Sequence, residues 1–70
     1  MTQADFVKDG LTLKAARVNA GFTQKEAAKM LDISEFTLAN YENGKTYPDI
    51  RMLKKIEKLY NVPCYRIIFL

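Results

Sequence analysis

The chain has 70 residues, 49% of them hydrophobic, and a formal net charge of +3 from 11 basic and 8 acidic side chains. A chain of this length builds one small core, so we expect a single domain without a separate ligand-sensing or catalytic unit. The positive balance fits a polyanionic partner, because cations set against phosphates release condensed counterions, although many proteins carry a similar charge.

Residue usage argues against an enzyme and against a membrane protein. The chain has no histidine and one cysteine, Cys64, and it lacks a glycine-rich phosphate loop or a cluster of metal ligands. We therefore expect no catalysis, metal or cofactor. A single cysteine forms no intramolecular disulfide, which favours a reducing compartment. A helix that spans a bilayer needs about 20 apolar residues, and the longest apolar run, residues 67–70, is far shorter. We therefore expect a cytoplasmic protein.

Cap and turn signals define the first two helices. Residues 1–11 show no periodicity and are interpreted as an N-terminal arm. Thr12 is the predicted cap of a first helix that ends before Gly21. Thr23 and Glu26 have the spacing of a capping box, in which each side chain satisfies a free backbone N–H at the start of the second helix.

The third and fourth helices follow after short connections. A third helix is predicted over residues 34–43, with Ser34 as its cap and Leu38 in the core. A fourth helix is predicted from Pro48 to Asn61, and five residues at helical spacing are expected to form its core face. These residues are Ile50, Leu53, Ile56, Leu59 and Tyr60.

A short fifth helix is predicted after Pro63, and no segment shows strand-like alternation. The sequence thus predicts an all-α fold, a compact domain of five helices over residues 12–70. Only a few residues join the second and third helices, so these two must cross steeply and approach closely. Ala28 is the small residue expected at the crossing, and Asp32 in the connection is expected to take a positive φ.

This two-helix unit and its surroundings resemble the phage repressor and Cro-type (XRE-like) helix-turn-helix family. The likeness covers most of residues 13–67 in spacing and residue type. It is carried by Thr23-Gln24, Ala27-Ala28, Leu31, Ile33-Ser34, Leu38, Tyr41-Glu42-Asn43-Gly44-Lys45, Pro48, Leu53 and Val62-Pro63. The resemblance implies a lambda-repressor-like fold of five helices, whose third helix enters the major groove of DNA.

Helical geometry and the resemblance together indicate the side chains that face the bases. Leu38 marks the buried side of the third helix, and the opposite side carries amides, a hydroxyl and an aromatic ring. Asn40 suits N6 and N7 of adenine, Glu35 suits the N4 amino group of cytosine, and Phe36 suits the methyl group of thymine. The expected base-reading residues are Ser34, Glu35, Phe36, Thr37 and Asn40.

The resemblance also implies phosphate contacts on both sides of this helix. Gln24 and Lys25 open the second helix, where backbone N–H groups and the helix dipole favour an anion. Asn43, Lys45 and Thr46 in the loop after the third helix match family positions that contact phosphate.

Three further features bear on the fold and on the affinity for DNA. Arg17 and Glu42 match a family ion pair that ties the first helix to the end of the third, and we interpret this pair as structural. Asp32 stands where the family usually has glycine, which costs a little backbone strain. Glu35 is negative at the groove-facing end, and residues 34–47 sum to −1. The attraction to DNA must therefore come from Lys25, Lys29, Arg17 or the other lysines.

The C-terminal run leaves two alternatives open. It either completes the core or exposes an apolar strip that pairs two protomers. A homodimer would suit a palindromic operator, with its two third helices about 34 Å apart. The residues concerned are Ile67, Ile68, Phe69 and Leu70.

The sequence therefore predicts a transcriptional regulator, a repressor, that binds a specific duplex DNA sequence. The alternative is a protein-interaction adaptor or anti-repressor that keeps the fold without specific DNA binding. Glu35 and Phe36 favour that alternative, because a carboxylate repels phosphate and an exposed aromatic ring suits a protein contact.

Overall fold

The structure, a computed structural model, describes residues 10–69. Over these residues it has four α-helices, one 3₁₀ turn and two short strands, and residues 1–9 of the expected arm lie outside it. In chain order the elements are β1 (Leu11–Thr12), α1 (Leu13–Asn19), α2 (Gln24–Leu31), α3 (Glu35–Glu42), α4 (Ile50–Tyr60), the 3₁₀ turn (Cys64–Arg66) and β2 (Ile67–Ile68).

The helix starts follow the capping residues that the sequence predicts. Thr12 Oγ1 accepts a hydrogen bond from the Ala15 amide at 3.1 Å. In the capping box, Thr23 Oγ1 accepts from the Glu26 amide at 3.1 Å, and Glu26 Oε1 accepts from the Thr23 amide at 2.9 Å. Asp49 caps α4 in the same way, so this helix begins at Ile50, two residues after Pro48.

The core lies where α1, α2 and α4 meet around the buried side of α3. Leu31, Leu38 and Ile56 are its largest fully enclosed side chains. Lys55 adds a polar link between two of these helices, because its Nζ donates to the Leu31 carbonyl at 3.1 Å and satisfies a free acceptor at the end of α2. The other buried apolar residues are Leu13, Ala16, Ala27, Ala28, Tyr60, Val62 and Ile67.

The predicted core face of α4 is wrong at Ile50, whose side chain is 69% exposed. At 100° per residue, Ile50 lies about 120° around the helix from the fully buried Ile56. Tyr60 and Met52 lie about 40° to either side of Ile56, and both pack in or against the core. Helical spacing of apolar residues therefore predicts one core residue too many at position 50. Met52 packs against the core instead of Ile50.

The predicted fifth helix is also wrong. After Pro63 the chain makes only the three-residue 3₁₀ turn Cys64–Arg66 and then enters β2, which pairs in parallel with β1. The register sets Leu11 opposite Ile67 and Thr12 opposite Ile68. β-branched residues favour extended backbone, so the Ile-Ile pair forms a strand once a partner is in reach.

The carboxylate of Glu57 holds the 3₁₀ turn against the end of α4. It accepts a hydrogen bond from the backbone N–H of Cys64. This bond is the main reason that the pKa of Glu57 is lowered. A hydrogen bond with Glu57 in turn raises the pKa of the Cys64 thiol, which favours the thiol over the thiolate.

The C-terminal run is divided between core and surface. Ile67 is buried in the core, whereas Ile68 is 47% exposed. The Phe69 ring packs edge-on against Tyr47 with centroids 6.4 Å apart, and Leu70 lies outside the described residues. None of the helices of residues 10–69 is long and apolar enough to cross a membrane.

We predict that Leu38→Ala lowers the free energy of unfolding by about 2–5 kcal/mol, because Leu38 is fully buried and its truncation leaves a cavity among three helices. Urea unfolding followed by circular dichroism measures the change. Ile50→Ala is the matched control, and its effect should stay within about 0.5 kcal/mol because that side chain is exposed. Equal losses in the two variants would contradict this assignment of the core.

Candidate nucleic-acid interface

The connection between α2 and α3 has the close packing and the positive φ that the sequence predicts. Ala27 and Ala28 are buried, at 0% and 2% exposure, where the two helices approach. Asp32 ends α2 in the left-handed conformation, with φ 61°. The Ile33 amide then donates to the Ala28 carbonyl at 3.0 Å, and this bond folds the chain back toward α3. The prediction for Asp32 is therefore confirmed.

The outward side of α3 presents side chains of several kinds to solvent. In its first turn Glu35 is exposed, and Phe36 is 75% exposed. Asn40 follows Phe36 by four residues, on the same side of the helix, and is half-buried. Leu38 on the opposite side is fully buried, so one face of this short helix is anchored while the other is free.

Two of the expected base-reading residues bond to each other. Ser34 Oγ accepts a hydrogen bond from the Thr37 amide at 3.0 Å, which is the cap of α3. The Ser34 hydroxyl also donates to Thr37 Oγ1 at 2.9 Å. Ser34 thereby uses its one proton inside the protein, and it acts in the structure as a cap.

The loop after α3 is tied to the end of that helix. The Asn40 carbonyl accepts from the Lys45 amide at 2.9 Å and from the Thr46 amide at 3.4 Å. Gly44 turns the chain here with φ 76°, a conformation that favours glycine. Asn43, Lys45 and Thr46 are all exposed, so their side chains lie beside the C-terminal end of the outward side of α3.

A buried ion pair joins α1 to α3. Arg17 Nε donates to Glu42 Oε2 at 2.7 Å, and the two side chains are only 8% and 4% exposed. Arg17 Nη2 reaches Glu42 Oε1 at 3.4 Å, and Nη1 donates to the Phe22 carbonyl at 2.9 Å. Arg17 thus links α1, the α1–α2 loop and the end of α3. This corrects the expectation that Arg17 attracts DNA, because its positive charge is buried and paired with the carboxylate of Glu42.

Gln24 extends this network, a contact that the sequence analysis missed. Its Nε2 donates to Glu42 Oε1 at 3.2 Å, so the start of α2 is bonded to the end of α3. The signal in the sequence, a glutamine at the first position of a helix, fits solvent, phosphate or a carboxylate equally well. The exposed Lys25 lies next to it, on the same first turn.

Tyr60 lies in the field of the ion pair. Burial, together with the negative charge of Glu42, raises its pKa to about 12, while Arg17 acts in the opposite direction. Its hydroxyl has no hydrogen-bond partner among the described residues, and its ring lies 6.3 Å from that of Phe22. Tyr60 is therefore a core residue that packs beside the network.

The charges that remain at this surface are few. Glu42 is neutralised by Arg17 and Glu26 is engaged in the capping box, which leaves Glu35 as the exposed carboxylate of α3. Lys25 and Lys29 are exposed on α2. The exposed side of α3 thus combines one carboxylate and one aromatic ring with flanking cations and amides, and Glu26 and Asp32 are further exposed carboxylates at the two ends of α2.

Comparison with known proteins identifies this two-helix unit. A family model described as "Helix-turn-helix" matches residues 13–67. The HTH-type transcriptional regulator ImmR of Bacillus subtilis (strain 168) is 51% identical over 53 residues, which cover 76% of this chain and 42% of ImmR. The HTH-type transcriptional activator BcrR of Enterococcus faecalis is 34% identical over 50 residues, covering 71% of this chain and 24% of BcrR.

The chain therefore spans less than half the length of either of these curated relatives. No solved structure gives a significant match.

We predict that Arg17→Met lowers the free energy of unfolding by about 3–5 kcal/mol, because it leaves the Glu42 carboxylate buried without a guanidinium. The double variant Arg17→Met with Glu42→Leu should recover much of this loss, since it removes both charges from the interior. Urea unfolding of the parent, the single and the double variant measures the cycle. A single variant as stable as the parent would show that the pair is not desolvated in solution.

Proposed function

The chain belongs to the helix-turn-helix family, in its XRE-like group of DNA-binding transcription regulators, and we propose that it recognises a specific duplex sequence by placing α3 in the major groove. Both named relatives are transcription regulators, which favours a non-enzymatic role. The observation that carries the proposal is the division of α3 into a buried and an exposed side.

An α-helix fits the major groove of B-DNA when one of its faces is free of the protein that holds it. Leu38 and Glu42 hold α3 from within, while Glu35 and Phe36 stand exposed in its first turn. In helix-turn-helix proteins the N-terminal residues of the recognition helix contact base edges. Glu35, Phe36 and Asn40 are accordingly the base-reading side chains that we propose.

Phosphate contacts are proposed on both flanks of α3. At the start of α2, the first-turn amides and the positive end of the helix dipole favour an anion beside Gln24 and Lys25. Gln24 uses one amide proton on Glu42, and its second amide proton is available to phosphate. On the other flank, the exposed Asn43, Lys45 and Thr46 supply a cation and polar groups.

We propose that the protein binds a palindromic operator as a homodimer and represses by occupying it. A single domain reads one half-site, and two-fold symmetry would set the two α3 helices about 34 Å apart. Ile67 belongs to the core of the protomer, so the proposed contact between protomers is made by Ile68 and the edge of Phe69, together with Leu70 outside the described residues. Repression requires only that the bound site be blocked to other proteins.

Selection of bound duplexes from a random pool, with purified protein at low salt, tests the proposed function. We expect an enriched palindrome whose half-sites are about one helical turn apart. An enriched sequence without symmetry would retain specific binding and reject the dimer. A folded protein that enriches nothing would reject specific binding and favour the adaptor, whose support is the carboxylate and exposed ring of Glu35 and Phe36.

We predict that Lys45→Ala weakens binding to every duplex and reduces the slope of log K against log salt by about one unit, because one phosphate contact is lost. Fluorescence anisotropy at four or more salt concentrations measures the slope. Lys58→Ala on α4 is the matched control, an exposed lysine outside the proposed interface, and it should leave the slope unchanged. Identical slopes for the two variants would place the loop after α3 away from DNA.

A further inference from the structure

We propose that sequence recognition by α3 depends on one apolar contact, between the Phe36 ring and the C5-methyl group of a pyrimidine, beside a cytosine that Glu35 selects. This inference rests on the proposed function and specifies the bases that it requires. Two hydrogen bonds within the first turn of α3 engage Ser34 and Thr37, and the exposed side chains of Glu35 and Phe36 are outside these bonds.

The hydroxyls at the start of α3 contribute little to base reading because they serve the helix. Ser34 Oγ accepts from the Thr37 amide at 3.0 Å and donates its proton to Thr37 Oγ1 at 2.9 Å. A base contact in which Ser34 donates would require its hydrogen bond to Thr37 Oγ1 to break, which leaves Ser34 at most one lone pair for a base. Thr37 is held in the same interaction and is half-buried. Of the five predicted readers, Glu35, Phe36 and Asn40 remain.

Phe36 precedes Asn40 along the outward side of α3 and is the more exposed of the two. It stands in the first turn, which enters the groove first, and three-quarters of its surface is exposed. Asn40 lies one turn further along the same side, is half-buried, and anchors the following loop through its carbonyl. The groove therefore meets an apolar ring before it meets the amide.

A phenyl ring neither donates nor accepts a conventional hydrogen bond, so it cannot read the polar edges of bases. The one apolar group in the major groove is the C5-methyl group of thymine. The same methyl group occurs on 5-methylcytosine, which differs from thymine in presenting an amino group at position 4. Phe36 therefore favours a C5-methylated pyrimidine, whichever of the two carries the methyl group.

Glu35 restricts the neighbouring base by repulsion as well as by attraction. Its ionised carboxylate only accepts hydrogen bonds. It is therefore repelled by O6 and N7 of guanine and by O4 of thymine. The N4 amino group of cytosine satisfies it best, because adenine sets the N7 acceptor beside its N6 amino donor. Within residues 10–69 this carboxylate makes no ion pair. The expected recognition element contains a cytosine beside a methylated pyrimidine.

Single-atom changes in the DNA test this contact without disturbing the protein. In the duplex enriched from the random pool, each thymine is replaced in turn by uracil, which removes only the methyl group. Dissociation constants are measured by anisotropy for the parent and for Phe36→Ala. We expect one thymine in each half-site at which uracil weakens binding by the parent about four-fold, the equivalent of ~0.8 kcal/mol for one methyl-sized group.

Phe36→Ala should bind the thymine and uracil duplexes equally at that position, whereas Ile50→Ala, which truncates an exposed apolar residue of α4, should retain the four-fold difference. Placing cytosine at the same position should weaken binding by the parent, and 5-methylcytosine should restore part of the loss. Circular dichroism of Phe36→Ala checks that the variant is folded, as expected for an exposed side chain.

The outcomes separate this inference from the function on which it rests. An enriched site at which uracil affects the parent and Phe36→Ala alike would overturn the methyl contact and leave specific DNA binding intact. An enriched site without any uracil-sensitive thymine would do the same. A pool without enrichment would overturn both the methyl contact and specific DNA binding. A uracil effect that is present in the parent and in Ile50→Ala but absent in Phe36→Ala would support the contact.

Discussion

The position of α3 depends on the buried pair between Arg17 and Glu42. Through one guanidinium, α1 and the carbonyl of Phe22 are bonded to the end of α3, and through the same carboxylate Gln24 bonds the start of α2 to that point. Such a pair is costly to desolvate, and it is stable only because several hydrogen bonds satisfy both groups. Residues 17–24 are thereby fixed against the C-terminal end of the helix that we propose to read DNA, which lies 18 or more residues further along the chain.

This arrangement also decides the charge that the proposed interface offers. The pair removes one acid and one base from the surface, so the exposed part of α3 carries the single charge of Glu35. In the proposed complex with DNA, the flanking cations, Lys25 and Lys45 among them, supply the general attraction to phosphates, while α3 contributes discrimination between sequences. A carboxylate in the groove lowers affinity for most sequences and spares those that offer a donor, so selectivity is gained at the expense of binding strength.

Features governed by local interactions could be predicted from the sequence, and those decided by tertiary contacts could not. The caps at Thr12, Thr23 and Ser34 and the positive φ of Asp32 depend on residues within a few positions, and the structure confirms them. The predictions of a fifth helix and of a buried Ile50 were wrong, because both features depend on contacts with residues far along the chain. β2 forms because β1 lies beside it. Met52 rather than Ile50 faces the core because the packing of Ile56 among the buried residues of the other helices sets the orientation of α4. The bond between Gln24 and Glu42 belongs to the same class, since no spacing rule relates positions 24 and 42.

The separation of tasks along α3 bears on how such a domain can change its target. Ser34 caps the helix, Leu38 anchors it in the core and Glu42 ties it to α1 and α2, at intervals of four residues along one side. Glu35 and Phe36 do not take part in these contacts, and their side chains are exposed. If these two positions read bases as proposed, substitutions there alter the preferred sequence with little effect on stability, because surface positions outside such contacts tolerate change. A domain as small as this one has little stability to lose, so this separation lets the reading surface vary while the fold persists.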